Sequence, residues 1–161
     1  MRELSLDPVT YADPVVVALT EQVQTYYREI YGGPDDSPLS DEELTPPAGL
    51  FLLARLDGAP AGMAGWRRID PLDALGGERP AEVRRMYTRP TARHRGVARA
   101  LLGELERTAA SYGADVMVLS TGGVQADAVA FYRSCGYTDV PLFGHWAGAP
   151  GIVCLGRRLT P

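Results

Sequence analysis

The sequence predicts a single domain of mixed α and β structure, and three observations carry that prediction. The chain has 161 residues, the length of one ordinary domain with one sizeable core. Its composition, 45% hydrophobic and 22% charged, is that of an average globular protein and excludes disorder as the main state. Segments with apolar residues at helical spacing alternate with short apolar runs bounded by Gly, Pro and Asp, so both kinds of element are required. No repeat, low-complexity tract or internal linker interrupts residues 1–161, which are read as one domain.

Asp13-Pro14 is a helix start, with a capping carboxylate followed by proline in the first turn. Val16, Leu19, Val23, Tyr26 and Ile30 recur at helical spacing until Gly32-Gly33-Pro34 stops the run. The acidic, proline-rich segment 32–49 reads as a loop with one helical turn at 40–44. GLFLLARL (49–56) and AGMAGWRRI (61–69) flank Asp57-Gly58, a strong hairpin signal. AEVRRMYT (81–88) is a third strand. An amphipathic helix runs from Gly96 to Tyr112, with Val97, Leu101, Leu105 and Ala109 in one apolar row. DVMVLS (115–120) has the near-continuous apolar pattern of a central strand. A short helix over 125–135 ends at Gly136, and two late strands are expected near 138–142 and 152–159.

Several function classes drop out early. No apolar run reaches the roughly 18 residues of a membrane-spanning helix, so no membrane partner is expected. The first residues lack a signal-peptide profile, which points to a cytoplasmic protein. Cys135 and Cys154 stand apart, and His94 and His145 have no partners at ligand spacing, so no metal is expected. All 16 basic residues are arginine, against 20 acidic ones. They are segregated: residues 1–50 hold two arginines and ten carboxylates, whereas residues 79–107 hold eight arginines and three glutamates. A basic middle and an acidic front suggest an anion site and a cation site.

The basic middle contains a strand, then a turn with four arginines and a glycine, then a helix. The first amides of a helix lack intrahelical partners, the macrodipole adds positive potential, and glycine lets an oxyanion approach the backbone. The turn, Arg93-His94-Arg95-Gly96-Val97-Ala98, lacks both GxxxxGK[ST] and GxGxxG, which disfavours ATP and NAD.

R-x-x-G-x-A after a strand ending in M-Y-T-R-P resembles the acyl-CoA signature of the GNAT superfamily of N-acetyltransferases. AVAFYRSCGY is similar to the family's second landmark. The resemblance covers nearly the whole chain and is specific over residues 81–137. It implies a GNAT fold: a mostly antiparallel, splayed sheet of about six or seven strands flanked by helices. It also implies acetyl-CoA as cosubstrate and direct transfer of the acetyl group to a primary amine. The amides of Arg95, Gly96, Val97, Ala98 and Arg99, within the turn that includes Arg93 and His94, would hold the pyrophosphate. The backbone of Met86, Tyr87 and Thr88 would pair with the pantetheine arm and present an oxyanion donor. Tyr132 would protonate the departing thiolate. Many members carry asparagine where this chain has Gln125, seven residues before that tyrosine; the departure bears on a side-chain contact to the cofactor, for which a glutamine still offers amide hydrogen bonds, and not on the fold. Tyr26 and Tyr27 on the first helix are candidates to line the acceptor pocket.

An ammonium cannot attack a thioester, so a base must take its proton, directly or through water. Glu82 is the candidate. Strand alternation would put Glu82, Arg84, Met86 and Thr88 on one face and Val83 and Tyr87 on the other. The competing role for Glu82 is a structural pair with Arg84 or another arginine. Phe131 is expected to pack and Tyr132 to face the chemistry. Two other functions stay in view: a catalytically silent acyl-CoA-binding module, and a nucleic-acid patch, which the acidic front and the lack of interleaved aromatics oppose. The acceptor is a small-molecule amine or an exposed amino group. The acidic front favours a cationic one, unless those carboxylates are only solvated. Oligomeric state is open, although members of the family often form homodimers.

Overall fold

In the computed structural model, which describes residues 3–160, strand β1 (Leu4–Pro8) leads into helix α1 (Pro14–Tyr31). A 3₁₀ turn (Glu42–Leu44) precedes β2 (Gly49–Leu56), β3 (Ala59–Arg68) and β4 (Pro80–Thr88). A second 3₁₀ turn (Pro90–Ala92) precedes α2 (Val97–Ser111), β5 (Val116–Gly122), α3 (Ala126–Ser134), β6 (Thr138–Asp139) and β7 (Ile152–Arg158). The strands form one sheet in the order β1-β2-β3-β4-β5-β7-β6, antiparallel throughout except for β4 beside β5. The expected α+β architecture with a mostly antiparallel sheet is what the chain forms.

The local signals act as their chemistry requires. Asp13 Oδ1 accepts from the Val15 amide at 2.8 Å, and Gly32 closes α1 in a left-handed conformation, φ +77°. Asp57 and Gly58 both adopt positive φ, 53° and 83°, as a tight two-residue hairpin between β2 and β3 needs. Two expectations needed correction. The edge strand β1 has no counterpart among the expected elements, because its five residues are only partly covered and its pattern depends on pairing with β2. The strand expected over 138–142 shrinks to Thr138–Asp139, since Pro141 has no N–H for a ladder.

Three buried clusters cover the two faces of the sheet, the smallest of them formed by Ala74, Val116, Val118, Val140 and Cys154. On one face, Val97, Leu101, Leu102 and Leu105 of α2 pack on Leu52, Trp66, Val83 and Leu119. Burying each such leucine contributes about 1.5–3 kcal/mol. Trp66 is fully buried, and its Nε1 donates to Thr108 Oγ1 at 3.0 Å, tying β3 to α2. On the other face, Val16, Leu19 and Val23 of α1 pack on Phe51, Leu53, Met63 and Tyr87. Tyr26 and Ile30, which share the helical spacing, are 39% and 37% exposed, so the last turns of α1 extend past this core.

Two irregularities in β4 create the working region. The β3–β4 register shifts, with Gly65 opposite Arg84 but Met63 opposite Tyr87, so Ala64 faces both Arg85 and Met86. Arg85 takes φ +56° at this bulge. The expected alternation therefore fails: Met86 packs with Val83 against the α2 core, whereas Tyr87 enters the α1 core. Moreover β4 and β5 pair only from Pro80–Val116 to Glu82–Val118, after which the two parallel strands diverge.

Candidate functional site

The divergence of β4 and β5 opens a cleft of about 1270 Å³. From β4 it is lined by Glu82, Arg84, Arg85, Met86, Tyr87 and Thr88, and from β5 by Leu119 through Gly122. Beyond the pairing at Glu82 and Val118, the facing backbones have no ladder between them, so their polar groups are available to an extended ligand. Thr88 Oγ1 is buried here with no hydrogen-bond partner, an orphaned polar atom on the wall of the cleft.

At one end the cleft reaches the start of α2, where Arg93, His94, Gly96, Val97, Ala98 and Arg99 line it. Arg95, predicted with them, does not. His94 and Gly96 both have positive φ, 62° and 81°, a backbone arrangement that turns successive amides toward one point. The first bond into the helix runs from the Ala100 amide to the Gly96 carbonyl at 3.0 Å, so the amides of Val97, Ala98 and Arg99 precede it. A concave, basic, amide-rich turn beside an unpaired strand edge fits a phosphate-bearing ligand with an extended arm, as acetyl-CoA is.

Tyr132 stands on the α3 wall of the cleft. The structure corrects one premise about it: Tyr132 is 6% exposed and belongs to the main core, while Phe131 is only half-buried. Tyr132 thus packs and faces the cleft at once. Burial, followed by its proximity to Tyr27 and Cys135, pushes the phenol above its ordinary value, so it is protonated at neutral pH. Gln125 precedes α3 and lines the cleft; its Nε2 donates to the Tyr31 hydroxyl at 2.7 Å, linking the α1 end to the β5–α3 turn.

The other end of the cleft lies under the last turns of α1. Tyr26 and Tyr27 line it, and burial, with Asp35 nearby, pushes the Tyr27 phenol up to about 12. Glu82 is buried there, and its Oε1 accepts from Arg67 Nε at 3.0 Å and lies 3.7 Å from Arg84 Nη1. The carboxylate expected to act as a base is therefore also a paired one. Arg67 further binds Glu43, and Arg85 binds Asp35. Burial raises the Asp35 carboxyl, but hydrogen bonds from Ser37 and the Arg85 guanidinium outweigh it and hold it below the usual carboxylate range. His145 lies 3.2 Å from Asp36. Asp35 and Glu43 of the acidic front are therefore paired and not free negative charges beside this cleft. Sequence reasoning singled out neither Arg67 nor Ser37, because the partners that tie them to the site, Glu82 and Glu43 for Arg67 and Arg84 for Ser37, lie 15–47 residues away and no local pattern announces them.

The cleft thus unites every predicted site residue except Arg95. Residues 16–137 match the acetyltransferase (GNAT) family model. Over 135 residues, 84% of each chain, the sequence is 34% identical to an IAA acetyltransferase from Azospirillum brasilense. In fold, the chain is similar to a Klebsiella pneumoniae protein assigned as an acyl-CoA N-acyltransferase, with TM-score 0.76, 23% identity and 98% of both chains covered. It is also similar to YncA of Salmonella typhimurium, solved with its cofactor acetyl-CoA, with TM-score 0.68, 20% identity, and 98% and 94% covered. The match to the family model spans the cleft from α1 to the end of α3, and on it and the curated relative the conclusion rests: the chain belongs to the acetyltransferase (GNAT) family of acetyl-CoA-dependent enzymes.

Proposed function

We propose that this acetyltransferase moves the acetyl group of acetyl-CoA to a primary amine by direct attack, with Tyr132 as general acid. The observation that carries the reading is a buried, protonated phenol on the wall of a cleft whose other walls are a strand edge left unpaired where β4 and β5 part and a basic helix start. Acetyl-CoA, when bound, supplies the thioester carbon at which the new N–C bond forms as the C–S bond breaks. The amides of residues 96–99 hold the pyrophosphate, with Arg93 and Arg99 adding positive charge and His94 lining the same turn. The strand backbone at Met86, Tyr87 and Thr88 pairs with the pantetheine arm, and an amide of this segment donates to the carbonyl oxygen as charge builds there. Gln125 contributes an amide contact after leaving Tyr31.

Glu82, directly or through a water, receives the proton that the amine loses, and Arg67 orients its carboxylate. Tyr132 gives its proton to the departing thiolate. Tyr26 and Tyr27 border the acceptor. A silent acyl-CoA-binding module has no use for a proton donor at this position, which favours the enzyme. In the Tyr132→Phe variant, turnover read by thiol release is expected to fall ~10²–10⁴-fold while acetyl-CoA affinity stays as in the wild type. A wild-type rate in that variant would remove Tyr132 from the chemistry.

A further inference from the structure

The acceptor end of the cleft carries three guanidiniums, Arg67 on β3 and Arg84 and Arg85 on β4, and they are not equally engaged. Arg67 is paired with both Glu43 and Glu82, and Arg85 with Asp35. Arg84 is different. Its hydrogen-bond partner among the described residues is the neutral hydroxyl of Ser37. Its nearest carboxylate oxygen, Glu82 Oε1, is 3.7 Å away and already accepts from Arg67. Ser37 is itself held in place, its hydroxyl donating to Asp35 Oδ1 at 2.6 Å and its amide at 2.9 Å. The Arg84 side chain is only 8% exposed, yet it lines the cleft.

A cation taken out of water is costly unless it is paired and hydrogen-bonded. A guanidinium has five N–H donors in a planar fork that matches a carboxylate with two parallel bonds. Arg84 is a buried fork of this kind, held rigidly by Ser37 and left with donors to give. It sits two residues from Glu82 on the same strand, beside the group assigned to the amine's proton.

We propose that Arg84 binds a carboxylate on the acceptor, so that the substrate is an aminocarboxylate: a free amino acid or a similar small amine bearing an acid. The inference rests on the amine-acetylation reading above and adds the substrate class. It replaces the expectation of a purely cationic acceptor, because Asp35 and Glu43 of the acidic front are already paired with Arg85 and Arg67 at this end. The acceptor's amine then lies toward Glu82 and the thioester, and its carboxylate against Arg84.

The test uses matched sets of amines, each an amino acid, its carboxamide and its decarboxylated amine; phenylalanine, leucine and glutamate head three of them. With acetyl-CoA and thiol release as the readout, kcat/KM for the amino acid should exceed that for its carboxamide at least about tenfold in the best set. Arg84→Gln should erase this preference by raising the amino acid's KM, with acetyl-CoA affinity retained. Arg84→Lys, which keeps the charge but loses the fork, serves if the glutamine variant does not fold, and should lose most of the preference. Calorimetry of the same amines with the CoA-saturated protein separates the two readings. Arg84-dependent binding of amino acids without turnover would keep the carboxylate site and overturn acetyl transfer to them. Carboxamides or decarboxylated amines turned over as well as the amino acids would keep the transfer and overturn the site, as would a preference that survives in both variants. Neither binding nor turnover of any amino acid in the panel would also overturn the site.

Discussion

Gly96 shows how one residue sets up the cofactor end of the cleft. An added Cβ there meets nothing within 4 Å, so open space is not what demands glycine. Its φ of +81° and the need for an oxygen to approach the backbone are. Gly96→Val should therefore weaken acetyl-CoA binding, measured by calorimetry, at a stability cost of about 1–2 kcal/mol from the left-handed conformation. Unchanged affinity would remove the pyrophosphate from this turn. Glu82 poses a sharper question, because it is bonded to Arg67 and faces the cleft at once. As a base, Glu82→Gln should depress the rate most at low pH, where free amine is scarce. As a structural partner only, its loss should lower the rate by one factor across the pH profile.

Among the elements, β4 organises the site. Its bulge at Arg85 sends Tyr87 into the core under α1 and Met86 into the core under α2, and its early parting from β5 opens the cleft. The segment after α1 is strapped to this strand through Asp35, whose partners are the Arg85 guanidinium and Ser37. Because the Asp35 carboxyl is held below its usual range in the folded protein, its contribution is fully present above the ordinary carboxylate pKa. That contribution is lost as pH falls through the lowered value. Asp35→Asn should cost about 1–3 kcal/mol in urea unfolding near neutral pH, since it leaves a buried guanidinium without its counter-charge. The difference from wild type should shrink in acid. A difference that holds constant down to low pH would mean that the pair contributes nothing through its charge.

At the scale of the molecule, one sheet carries all three buried clusters, so the halves of the chain are expected to unfold together. Leu105 is fully buried on the sheet-facing side of α2, and Leu105→Ala should destabilise the protein by ~2–5 kcal/mol. Trp66 fluorescence and far-ultraviolet circular dichroism should report the same midpoint; separate midpoints would divide the molecule into two units. The sequence by itself determined the parts whose causes are local. The Asp13 cap, the Asp57-Gly58 hairpin, the apolar row of α2 and the arginine- and glycine-bearing turn before it each depend on neighbours a few residues away. Those residues also made the family resemblance and most of the cofactor end legible. Only the tertiary structure decided the rest. The bulge that reverses the faces of β4 depends on a register with β3, and the pairing of the acidic front depends on arginines 24 and 50 residues distant and on His145, 109 residues from Asp36. Tyr132 turned out to be both core and cleft wall, because burial is a property of what packs around a residue and not of its neighbours in sequence. Long-range pairings of this kind leave no periodic trace in the chain, which is why the charge segregation is legible in the sequence and the pairing of Asp35 and Glu43 with Arg85 and Arg67 is not.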